Sequence, residues 1–87
     1  MDDLKITISH IREQAYRLRK VDDFKAAYPE LLFLARQLEA FPRITGLARQ
    51  MTDTLSLFLG ETGAPRPTPA QLSDSVLALS NEIERVA

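Results

Sequence analysis

The chain has 87 residues, no cysteine and a net charge of −1. That length fits one small domain, residues 1–87, and the missing cysteines exclude disulfide scaffolds, thiolate metal sites and cysteine nucleophiles. A near-neutral total speaks against generic DNA binding, which shows a basic surplus, and leaves little charge repulsion to oppose self-association.

Leu4, Ile8, Ile11, Ala15 and Leu18 recur at steps of four and three. This is one stripe of an amphipathic helix and predicts a helix over 3–20, with Asp2 or Asp3 as its cap. Leu4, Ile6 and Ile8 also alternate, so a short strand is the rival reading at the start. Asp22-Asp23 reads as a second cap, opening a short turn over 22–28. Pro29 disfavours a helical Tyr28 and suits the first position of a helix, so a new helix is expected over 29–40. The other version is a single kinked helix from Asp23 to Ala40. The main stripe here is Leu31, Leu34, Leu38 and Phe41.

Ile44, Leu47, Met51, Leu55 and Phe58 predict a third helix over 43–59, started by Pro42 at its first position or by Thr45 as cap. Gly46 inside it is expected to permit a close helix approach, and Gly60 to close its end. Residues 60–68 are the expected loop, rich in Gly and Pro. Thr68-Pro69-Ala70-Gln71 then carries the marks of a helix start, namely a Thr cap, Pro at the first position and Gln at the third. Leu72, Val76, Leu79, Ile83 and Val86 predict the last helix over 69–86. Four such stripes are buried by a small all-α antiparallel helical bundle of about four helices, one that dimerisation could complete. An extended helical hairpin completed by a second chain is the alternative.

Some large apolar residues exceed what one stripe per helix needs. Leu31 to Ala35 is an unbroken apolar run, and Leu57, Leu59 and Leu77 stand beside stripe residues. Leu32, Phe33, Leu57, Leu59 and Leu77 are therefore candidate interface residues for a second copy or another protein, with Arg12 and Arg19 at the rim. The bland reading buries them in the bundle's own core.

Chemistry is sparse. His10 is the single histidine, predicted to face solvent. As a phosphoacceptor it lacks the directly following acidic residue and nearby proline of sensor kinases. Arg12 and Glu13 also stand where histidine phosphotransfer domains carry a Lys and small residues. No metal-ligand motif, phosphate-binding loop or dinucleotide fingerprint is present, so no metal, cofactor or small-molecule substrate is expected. Residues 1–20 carry a net charge of +2, which raises an Arg-rich face for nucleic acid. An acidic start and no long apolar run predict neither a signal peptide nor a membrane span, with the cytoplasm as default. The reading that follows is a non-enzymatic protein–protein interaction module: an adaptor, anti-activator or chaperone-like regulator acting as a homodimer. A nucleic-acid-associated regulator using the first helix is the second reading. A phosphotransfer module through His10 is the third.

Overall fold

In the computed structural model, residues 3–58 and 67–86 are described. Four α-helices and one 3-10 turn make up the described chain: α1 Asp3–Arg17, α2 Val21–Leu38, the turn Pro42–Ile44, α3 Thr45–Leu57 and α4 Pro69–Val86. No strand occurs among the described residues, and the alternation at Leu4, Ile6 and Ile8 lies within helix.

α1 packs on α2 and α4, and α3 packs on the same two helices. Cross-helix contacts fix the directions. Arg12 meets Glu84 while Arg19 meets Asp74, so α1 and α4 run antiparallel. Thr45 bonds the carbonyl of Glu39 while Tyr28 bonds that of Leu55, so α2 and α3 are antiparallel too. Short connections make the same demand of successive helices. The result is an up-down-up-down bundle. Its radius of gyration is 12.1 Å, against about 12 Å expected for a folded chain of this length. The extended hairpin does not occur.

The core is one continuous cluster. It takes Ile8, Ile11, Ala15 and Leu18 from the first stripe, Leu31, Leu34 and Leu38 from α2, Met51 and Leu55 from α3, and Leu72, Val76 and Ile83 from α4. Leu4, Phe41, Leu47, Phe58 and Leu79 are partly buried against it, whereas Val86 is 49% exposed. At one end, Phe24, Tyr28 and Phe58 form an aromatic cluster with ring centroids 4.7 to 5.6 Å apart. Phe24 reaches Phe58 closest, in a tilted arrangement suited to the ring quadrupoles.

α2 runs through Pro29 without interruption, so the expected helix start at 29 and the turn over 22–28 are both replaced. The cause is packing. Ala27, Tyr28, Leu31, Leu34, Ala35 and Leu38 are all buried on one face of a continuous helix. A break at Tyr28 would pull Ala27 and Tyr28 out of that face. Burial of two such side chains and the hydroxyl bond of Tyr28 offset a proline cost of about 3 kcal/mol. Pro29 and Lys25 are both exposed, so the carbonyl that loses its amide partner lies on the solvent side. The N-cap is Lys20, with no side-chain cap, and Asp22 and Asp23 sit in the first turn where they complement the helix dipole.

Pro42 opens the 3-10 turn, and Thr45 is no cap. Its hydroxyl donates to the carbonyls of Glu39 and Phe41, tying the end of α2 to the start of α3. At α4, Thr68 and Gln71 form a reciprocal capping box. The Thr68 amide donates to Gln71 Oε1 at 2.9 Å, and the Gln71 amide donates to Thr68 Oγ1 at 3.1 Å. Gly46 does not serve a close approach, because a Cβ built there would meet nothing within 4 Å. Gly46→Ala is therefore expected to raise stability by about 0.5 kcal/mol through backbone entropy alone, read from urea unfolding.

Candidate interaction surface

The candidate residues divide by position. Leu32 on α2 and Leu77 on α4 are partly buried and pack against the core. Leu57, at the end of α3, is half-buried. Leu59 lies outside the described residues, as does Gly60. Phe33 stands apart at 58% exposure. Each helical residue advances the face by about 100°, which sets Phe33 roughly opposite the buried stripe of Leu31, Leu34 and Leu38.

Arg12 and Arg19 belong to the α1–α4 seam. Arg12 forks onto Glu84, with Nη2 at 3.0 Å from Oε1 and Nη1 at 3.3 Å from Oε2, and donates to Asn81 at 2.8 Å. Arg19 donates through Nε to the hydroxyl of buried Ser73 at 3.1 Å and pairs with Asp74. Ser73 is small enough to let the guanidinium reach past it. Arg17 pairs with Glu13 along α1. Three arginines of the basic segment thus each face a carboxylate, which leaves this side close to neutral.

The Arg12 fork holds the Glu84 carboxyl below its ordinary value of 4.5, chiefly by hydrogen bonding and then by charge. A carboxylate with a depressed folded pKa stabilises the fold above its unfolded pKa. That contribution is lost as pH falls through the folded value, hence below about 4.5. Glu84→Gln is expected to flatten the acid limb of a stability-against-pH curve, with its largest difference from the parent at neutral pH and low salt.

Residues beyond the sequence candidates complete an exposed face on α1 and α2. Ile6 is 54% exposed. With Asp3, Thr7, Gln37, Ala40 and Phe41 it lines a groove of about 450 Å³ between the start of α1 and the end of α2. A second depression of about 490 Å³, lined by Leu4, Phe41, Pro42, Arg43 and Ile44, meets it at Phe41. Along α2 the outward positions include Ala26 and Phe33, seven apart, and Ala40 in the turn after the helix is exposed as well. That spacing was visible in the sequence, but only the packing of α1 and α3 decides which side of α2 faces out.

His10 is exposed, and no hydrogen bond or ion pair orients it among the described residues. No group of three or more His, Asp or Glu side chains that could hold a metal occurs among them either. None of the described helices is long and apolar enough to cross a membrane.

Fold and surface together define a small all-α bundle that leaves Ile6 of α1 and Phe33 of α2 exposed. Comparison of the chain with protein-family models, with curated proteins and with solved structures gives no match.

Proposed function

We propose that this protein is a small non-enzymatic interaction module that binds another polypeptide through the outer face of α1 and α2. The observation that carries the reading is Phe33, a large aromatic residue held 58% exposed in mid-helix, with the Ile6–Phe41 groove beyond it. A rigid aromatic beside a groove is the usual anchor of an interface, since it buries much apolar area at low entropy cost. An adaptor or regulatory role follows from that surface, and the near-neutral α1–α4 seam favours it over nucleic-acid binding. Among the described residues no acid orients His10, which favours that role over phosphotransfer.

Capture from a lysate of the source cells, quantified by mass, tests this. The parent chain is expected to retain a specific partner that Phe33→Glu loses at least about tenfold, as for an interface anchor. Equal retention by both chains would end the proposal.

A further inference from the structure

The outer stripe of α2 has a symmetry of its own. Ala26 lies seven residues before Phe33 on nearly the same line along the helix, and Ala40 lies seven residues after it, in the turn just past the end of α2. Glu30 and Arg36 lie three residues before and after it, about 60° to either side of that line. They are thus diagonal to each other, with Phe33 midway. All five residues are exposed. Neither Glu30 nor Arg36 forms an ion pair among the described residues, although five other arginine–carboxylate pairs do.

We infer that this stripe docks a second copy of the same chain, Phe33 against Phe33, with Glu30 of each copy paired to Arg36 of the other. The inference rests on the interaction-module reading and names the partner. Charge complementarity carries it. A two-fold axis in the interface, passing through Phe33 perpendicular to the Glu30–Arg36 diagonal, exchanges the two ends of that diagonal. Each acid then faces the base of the partner copy, so one operation satisfies both otherwise unpaired charges twice. That is the self-complementarity an isologous contact requires. The axis runs obliquely to α2, so the two helices cross steeply, and the small side chains of Ala26 and Ala40 leave room on either side of the stacked rings. A net charge of −1 per chain opposes the approach only weakly. A steep crossing buries less than the roughly 800 Å² per partner of standard interfaces, so the association is micromolar, reversible and weakened by salt.

Sedimentation equilibrium of the purified full chain at low salt tests this. The parent chain is expected to be a reversible dimer. Glu30→Arg and Arg36→Glu each set like charges together at both sites, weakening self-association at least about tenfold. An equimolar mixture of the two variants is expected to dimerise again, because in the mixed pair both sites regain opposite charges. The double variant E30R/R36E, with both pairs reversed in one chain, is expected to match the parent. Unchanged far-ultraviolet circular dichroism confirms that the variants fold. A parent chain that is monomeric at about 1 mM overturns the inference, as does a dimer that neither substitution weakens or a mixture that stays monomeric. In those cases a foreign partner lost by Phe33→Glu would still stand, so the module reading fails separately, by its own capture experiment.

Discussion

Leu31→Ala is expected to cost about 2–5 kcal/mol, the range for a fully buried leucine truncated in a well-packed core. Leu31 is 0% exposed and lies near the middle of α2, the helix that packs on both α1 and α3. Its truncation leaves a gap in the continuous core, and backbones held by the surrounding core residues collapse little into it. An 87-residue domain has a total stability of about 4–13 kcal/mol, so the variant gives up a large share of it. Thermal unfolding should show a midpoint lowered by at least about 8 °C. A loss below about 1 kcal/mol would mean that α2 does not centre the core as described.

Pro29→Ala is expected to stabilise the protein, by about 2–3 kcal/mol. Proline inside a helix removes one backbone hydrogen bond and crowds the preceding turn, costing about 3 kcal/mol relative to alanine. Part of that is offset because proline also restricts the unfolded chain, by up to about 1 kcal/mol. Nothing in the packing compensates further, since Pro29 is exposed and absent from the core cluster. Urea unfolding at constant m-value reads the gain directly. Destabilisation instead would show that the chain needs a break at this point, as its sequence suggests.

Pro29 also marks where local reasoning stops. Propensity places a helix start there, and nothing in the neighbouring residues announces that Ala27 and Tyr28 will be buried from the other side of the proline. That burial comes from α3 and Phe58, about thirty residues away. The stripes themselves were legible, because period and burial coincide at Ile8, Ile11 and Ala15 and again at Leu72, Val76 and Ile83. So was the start of α4, whose Thr68–Gln71 box is a purely local device. The surface was only half legible. An apolar run from Leu31 to Ala35 shows that one residue must face out, yet Leu32 and Phe33 are equal candidates until α1 and α3 are in place. Leu32 is then partly covered and Phe33 is not. Arg12 and Arg19 read as rim residues in a linear sequence. Their carboxylate partners lie 72 and 55 positions further on, a distance no spacing argument spans.

Phe33 is left outside the core by the fold, 58% exposed on α2. Urea unfolding of Phe33→Glu, at a concentration dilute enough to keep the chain monomeric, tests it most directly. The expected result is a stability within about 0.5 kcal/mol of the parent, as for an ordinary surface position. A loss of about 2 kcal/mol or more would place the ring in the core and contradict the account.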